Sequence, residues 1–268
     1  MKILRVSTRA PIFLSLVCCC LTEAILRSPF ARSNADSRSD VLHRWNRRIL
    51  KSIGIEVAVC GPIPARGLIA SNHLSYLDIL VLSATARCFF VSKSEVKSWP
   101  LVGWIAALTG TVFVDRSRRI PTHNLQPQMQ ERLESGELLV LFPEGTSSDG
   151  GGLLPFHSSF FESAVAADAP ITATYLSYEL PEYEGDPKLE VCYWGDMILL
   201  PHLMKLLTKT KVRATVRFAR ESQMFSDRKQ AAREIHRRVR ELAEGSDEQL
   251  SRQGNVNQPL PLIFTENR

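Results

Sequence analysis

Apolar positions along the chain fall into two patterns. Short unbroken runs, the length of a buried strand, alternate with stretches in which apolar residues recur every three or four positions, the period of a helix. The runs predict strands over Ile55–Val59, Gly67–Ala70, Cys88–Val91, Thr111–Val114, Glu137–Phe142, Ile171–Tyr178, Leu189–Trp194 and Val212–Phe218. The periodic stretches predict helices over Leu77–Thr85, Leu101–Leu108, Leu125–Ser135, Phe160–Ala166, Pro201–Leu207 and Arg228–Glu244. The last carries Ile235, Val239 and Leu242 as a packing stripe, with Lys229, Arg233, Arg237, Arg238 and Arg240 outside. Strands alternating with helices predict an α/β domain built on a mixed, mostly parallel sheet flanked by helices.

The pattern ahead of Gly54 is different. Lys2, Arg5 and Arg9 precede a mostly apolar run from Pro11 to Leu21; Thr22 and Glu23 interrupt it, and Ala24-Ile25-Leu26 follow before Arg27. The uninterrupted run is shorter than a membrane span. It fits a signal-peptide core, although the nearest small-x-small sites, around Ala31 to Ala35, lie well past its end. It also fits a membrane-embedded or interfacial anchor flanked by arginines, and this reading is preferred. Ser28 to Asp40 reads as a polar linker. Val41–Ile53 reads as an amphipathic helix with Leu42, Trp45, Ile49 and Ile53 on one stripe. Its Arg44, Arg47, Arg48 and Lys51 suit either anionic lipid or plain solvent. The expected organisation is an anchor and linker over residues 1–40, the α/β domain over 41–245, and a polar, then Pro-rich, poorly ordered tail over 246–268.

Composition adds limits. A chain of 268 residues supports a sizeable core, and 44% hydrophobic content is ordinary for a globular protein. A net charge of +5 points to an anionic partner. Three of the six cysteines, Cys18 to Cys20, are adjacent within an apolar stretch; Cys60, Cys88 and Cys192 are scattered. Neither a metal-ligand spacing nor a disulfide framework emerges, which favours a reducing compartment.

Candidate chemistry sits where predicted strands end. Ser71-Asn72-His73-Leu74-Ser75-Tyr76-Leu77-Asp78 lies between the strand Gly67–Ala70 and the helix that follows. At such a turn, side chains face a cleft. His73 can act as a base whose tautomer is set by Asp78. A second reading is open: Ser75-x-x-Asp78 also fits a capping box, with Asp78 no more than a cap. Arg116, after the strand ending at Val114, can grip a phosphate with its planar fork, or be half of a surface pair with Asp115. Phe142-Pro143-Glu144-Gly145-Thr146-Ser147-Ser148-Asp149-Gly150 follows another strand. Glu144 can hold a substrate hydroxyl, and the loop amides with Thr146 can line a polar site; the same stretch also reads as a long polar turn. Lys93-Ser94-Glu95, with Trp99-Pro100 and Gly103, reads as a turn into a helix, Pro100 suiting its first position.

Together these residues resemble the glycerolipid acyltransferases, the 1-acylglycerol-3-phosphate acyltransferase type among them. His73 to Asp78 matches their H-x-x-x-x-D signature, Gly110 to Arg116 resembles their second block, Phe142 to Thr146 their Phe-Pro-Glu-Gly block, and Ala169-Pro170-Ile171 a Pro-centred fourth block. Lys93, Glu95, Pro100 and Gly103 also fit a pattern common there. Order and spacing agree over roughly Trp45 to Phe218. Three departures bear on the acceptor: Ser147 where Arg is common, Phe156-His157-Ser158-Ser159 for Phe-Lys-x-Gly, and Ala-Pro-Ile for Val-Pro-Val. The Phe156–Phe161 and Tyr193–Met197 runs resemble the branch that includes lyso-ornithine lipid acyltransferases. The resemblance implies the family's α/β sheet, with His73 and Asp78 catalytic and Arg116, Glu144, Gly145 and Thr146 binding the acceptor. It implies acyl transfer from a thioester, acyl-CoA or acyl carrier protein, to the free hydroxyl of a lysolipid. 1-Acylglycerol-3-phosphate is the first acceptor expected and lyso-ornithine lipid the alternative. It implies no metal, no cofactor beyond the thioester co-substrate, no nucleic acid, and a place on the cytoplasmic side of the inner membrane. A reading of another class is a non-catalytic lipid-binding module, for which a base and its orienting carboxylate are superfluous. A hydrolase would need an activated serine, and Ser71 and Ser75 lack the G-x-S-x-G elbow.

Overall fold

The computed structural model describes residues 2–27, 35–93, 103, 106–107, 110–114 and 126–253. Two helices open the chain, α1 (Lys2–Arg27) and α2 (Ala35–Ile53). Next come β1 (Ile55–Cys60), β2 (Gly67–Ser71), α3 (Leu77–Thr85), β3 (Phe89–Lys93), β4 (Val112–Val114), α4 (Gln126–Glu134) and β5 (Leu138–Leu141). A 3-10 turn (Ser158–Phe161) runs into α5 (Glu162–Ala166), followed by β6 (Ile171–Glu179), α6 (Pro187–Glu190), α7 (Leu199–Leu207), β7 (Val212–Phe218) and α8 (Arg228–Gln253). Among the described residues, seven strands form one sheet in the order β1-β7-β6-β2-β5-β3-β4. All neighbours are parallel except β6 and β7, which gives the mixed, mostly parallel sheet the alternation predicts.

β2 and β5 sit near the middle and are buried throughout, which is why their sequences are unbroken apolar runs. Leu68 and Ala70 of β2 join Leu139 and Leu141 of β5 in a core under Ala231, Ile235 and Val239 of α8. Ile69 and Val140 point the other way, into a core shared with Leu50 and Ile53 of α2 and Leu77, Val81 and Leu82 of α3. Helices therefore cover both faces. The Ala169-Pro170-Ile171 block acquires a structural role here. The Pro170 carbonyl accepts the Leu68 N–H at 2.9 Å and fixes the start of β6 beside β2. Gly67 makes this approach at φ +91°, where a Cβ would lie 2.3 Å from the Pro170 oxygen.

Four expectations need correcting. Leu189–Trp194 is not a strand: Asp186 caps α6 by accepting the Lys188 N–H at 2.9 Å, and Pro187 starts the helix, so local capping prevails over the alternation of Leu189, Val191 and Tyr193. α2 begins at Ala35, inside the stretch read as linker. α8 runs beyond Glu244 to Gln253. α1 is a 26-residue helix, longer than the Pro11–Leu21 run. Its polar interruption is a helix–helix seam: Glu23 accepts the Trp45 indole N–H at 2.6 Å and an Arg44 N–H at 2.6 Å, while Cys20 and Ala24 are buried with Val41. By length and composition α1 can cross a membrane, the only such helix among the described residues.

α1 and α2 also reach the sheet. Arg5 donates to the Thr208 carbonyl at 2.9 Å, and Arg9 to the carbonyls of Lys209 and Thr210, so two cations of α1 complete the C-terminus of α7. On α2, His43 Nδ1 donates to the Ser83 carbonyl at 2.9 Å and the Asn46 amide to the Ser83 hydroxyl at 2.5 Å, which docks α2 on α3.

Candidate active site

The carboxyl ends of β2, β5 and β6 converge, and the candidate residues gather there. β2 ends at Ser71, and α3 begins at Leu77. The loop between them wraps around Asp78, which is 0% exposed. Asp78 Oδ2 accepts three hydrogen bonds: from His73 Nδ1 at 2.7 Å, from the Leu74 N–H at 2.7 Å and from the Ser75 N–H at 3.0 Å. Oδ1 accepts the Tyr178 hydroxyl at 2.7 Å. Four donors offset the cost of burying the carboxylate. The N-cap of α3 is Tyr76, without a side-chain cap bond, and the Ser75 hydroxyl has no partner among the described residues, so the capping box is not formed. Asp78 thus holds the loop amides and the His73 ring at once.

A carboxylate only accepts, so the ring proton facing Asp78 sits on Nδ1 and the lone pair on Nε2. The His73 ring stacks on Phe142 with centroids 4.1 Å apart and planes 15° from parallel. It keeps 20% of its side chain exposed. Pinned at Nδ1 and stacked on one face, the imidazole offers Nε2 to a reacting hydroxyl. Asn72 holds the loop to β6 by donating to the Leu176 carbonyl at 2.9 Å and accepting the Leu176 N–H at 2.8 Å.

Glu144 follows β5. One oxygen accepts the His73 N–H at 3.2 Å and the other the Leu154 N–H at 3.2 Å. Burial raises its pKa to about 7; the two backbone donors pull the other way and the Asp78 charge adds a little to the rise. Gly145 turns the chain at φ +76°. Thr146 is exposed, and the next turn returns to the site, the Ser148 N–H donating to the His73 carbonyl at 2.9 Å. The structure thus brings His73, Asp78 and Glu144 together, places Gly145 beside them, and leaves Thr146 on the loop surface. Arg116 lies outside the described residues, as do 94–100. Of the helix predicted over Leu101–Leu108, the described Gly103, Ala106 and Ala107 are helical.

Three contributors escape sequence reasoning. Tyr178 is an alternate residue of a strand, a hundred positions from Asp78. Asn72 precedes His73 but gains its meaning from Leu176. Phe142 reads as the end of a strand and serves as the floor of the imidazole. Burial and the adjacent Asp78 charge push the Tyr178 phenol well above its ordinary pKa, so it remains a donor to Asp78.

A buried carboxylate holding an imidazole in one tautomer, at the carboxyl edge of a mostly parallel α/β sheet, is an arrangement able to take a proton from a hydroxyl. The comparisons with known proteins specify the class. An Acyltransferase family model matches residues 55–177. A lyso-ornithine lipid O-acyltransferase of Rhizobium meliloti (strain 1021) is 34% identical over 231 residues, covering 81% of this chain and 79% of that protein. A 1-acyl-sn-glycerol-3-phosphate acyltransferase of Neisseria meningitidis serogroup B is 35% identical, covering 59% of this chain and 66% of that protein. The crystal structure of the 1-acyl-sn-glycerophosphate acyltransferase PlsC from Thermotoga maritima shares the fold, with a TM-score of 0.62 at 22% identity, covering 91% of this chain and 98% of that one. The chain belongs to the acyltransferase family.

Proposed function

We propose that this enzyme moves an acyl group from a thioester, acyl-CoA or acyl carrier protein, to the free hydroxyl of a lysolipid. The observation that carries the reading is the 2.7 Å bond from His73 Nδ1 to the buried Asp78. His73 Nε2 takes the hydroxyl proton as the oxygen attacks the thioester carbonyl. Asp78 stabilises the imidazolium. Collapse of the tetrahedral intermediate forms the ester and expels the thiolate, which takes the proton back from His73. The membrane-lipid relatives and the apolar α1 support attachment to a membrane. The cysteine spacing, which frames no disulfide set, supports a reducing compartment and hence the cytoplasmic side.

For the acceptor we propose lyso-ornithine lipid. The loop 143–157 beside His73 holds the partly exposed Asp149 and no lysine or arginine. Such a loop suits an ammonium better than a phosphate dianion, and the ornithine head group carries an amine with a carboxylate. 1-Acylglycerol-3-phosphate is the second reading, supported by Arg116 and the Neisseria relative. The test measures kcat/KM on both lysolipids with one labelled donor, with thiol release followed and the product identified by mass spectrometry. A higher value on lyso-ornithine lipid is expected. A higher value on the phosphate acceptor would return head-group binding to Arg116, and no acceptor-dependent thiol release would leave a lipid-binding module.

A further inference from the structure

α7 is apolar on the inside and on the outside. Its inner face, Leu203, Leu206 and Leu207, packs on the core beneath the sheet, and His202 is buried with it. Outside, Leu200 is 66% exposed and Met204, one turn on, 39%; Ile198, just before the helix, is 71% exposed. A helix that is hydrophobic all round is normally covered all round, and large apolar side chains clustered in the open mark a contact surface.

We propose that this outer face of α7, continued by the exposed Leu189 of α6, is seated in the lipid leaflet alongside α1. The proposal rests on the lipid acyltransferase reading above. A membrane is the occupant, rather than a second copy of the chain, for three reasons. First, the face continues from the apolar α1: Val6, Ala10 and Phe13 of α1 pack on the same core as Leu203, and Arg5 and Arg9 grip the carbonyls at the end of α7. Second, the rim is amphipathic and aromatic, as at a membrane–water boundary. Tyr183 is exposed there, and the Trp194 indole N–H donates to the Lys188 carbonyl at 3.2 Å. Third, the exposed Lys188 stands beside it, matching anionic head groups, while Lys205 is paired with Glu190 at 2.8 Å.

This seat sits next to the chemistry. The Tyr76 hydroxyl donates to His202 Nδ1 at 3.1 Å, and His202 Nε2 donates to the Cys192 carbonyl at 3.1 Å. The Tyr193 N–H donates to the Leu74 carbonyl at 2.8 Å, one residue beyond His73. The lipid-facing segment is therefore hydrogen-bonded to the catalytic loop, and a lysolipid passes from the leaflet to His73 without crossing water.

The test compares the full-length enzyme with Leu200→Ser/Met204→Ser, and separately with Ile198→Ser. Each is scored by flotation with anionic phosphatidylglycerol-containing vesicles and by turnover of a lysolipid presented in those vesicles or as a short-chain monomer. The double variant should bind vesicles at least about tenfold more weakly, by loss of inserted apolar area. It should lose vesicle turnover in proportion and keep monomer turnover and melting temperature. Unchanged flotation would overturn the proposal, as would an equal loss on both acceptor forms. So would a wild-type dimer that the variant dissociates, which would make the occupant a second copy. Flotation needs no turnover, so absence of acyl transfer in the wild type would count against the catalytic reading alone.

Discussion

At the scale of single residues, the site is an arrangement of donors around one buried carboxylate. His73→Ala is expected to lower kcat/KM on the order of 10²–10⁴-fold while the protein stays folded by circular dichroism. Asp78→Ala is expected to lower both turnover and melting temperature, because the same carboxylate holds the Leu74 and Ser75 amides and the Tyr178 hydroxyl. Turnover at the wild-type level in a folded His73→Ala protein would remove the base from the mechanism. Glu144 gives a pH signature of opposite sign to a salt-bridged acid. Its pKa rises from 4.5 unfolded to about 7 folded, so the folded state holds a proton that the unfolded chain releases. The stability tied to that proton is complete below pH 4.5 and is lost as pH rises through 7, up to roughly 3 kcal/mol. The melting temperature of the wild type relative to Glu144→Gln is therefore expected to fall between pH 5 and pH 8; a constant difference would refute this. His73 and Asp78 were legible in the sequence because five residues of one loop join them. Tyr178 was not, because nothing in an alternating strand marks the residue that leaves it to meet a loop a hundred positions earlier.

At the scale of elements, the run Val212–Phe218 and the helix Leu77–Thr85 match their sequence readings end to end, since each is bounded by a change of period. Leu189–Trp194 misled because three alternating apolar side chains outweighed the Asp186-Pro187 pair, which was visible and is a helix start. The length of α1 was hidden by Glu23, a charge that reads as an interruption and serves as the bond to α2. The β2–β6 junction gives the sharpest test of an element. Gly67→Ala must displace the Pro170 carbonyl or abandon φ +91°, at an expected cost of about 2–4 kcal/mol. Chemical denaturation measures it, and a change under 0.5 kcal/mol would show that the junction yields freely.

At the scale of the molecule, the first helix is part of the fold as well as a candidate for the membrane. Deleting residues 1–27 is expected to weaken pelleting with membranes. It should also lower the melting temperature, because α7 loses the two arginines at its C-terminus and the α2 seam at Val41 and Trp45 opens. Undiminished thermal stability would mean that α1 is a tether only. The clamp between α1 and α7 has a consequence for how the protein is made. Arg5 and Arg9 leave the ribosome well before the carbonyls they hold, which lie 200 to 203 residues later. At synthesis rates of about 5–20 residues per second, the wait is roughly 10–40 s. Throughout that interval Tyr178 has yet to reach Asp78 or has only just emerged, and β1 lacks its partner β7. α1 is therefore complete well before Tyr178 can brace the carboxylate that orients the imidazole, and the order of synthesis separates the helix from the finished site.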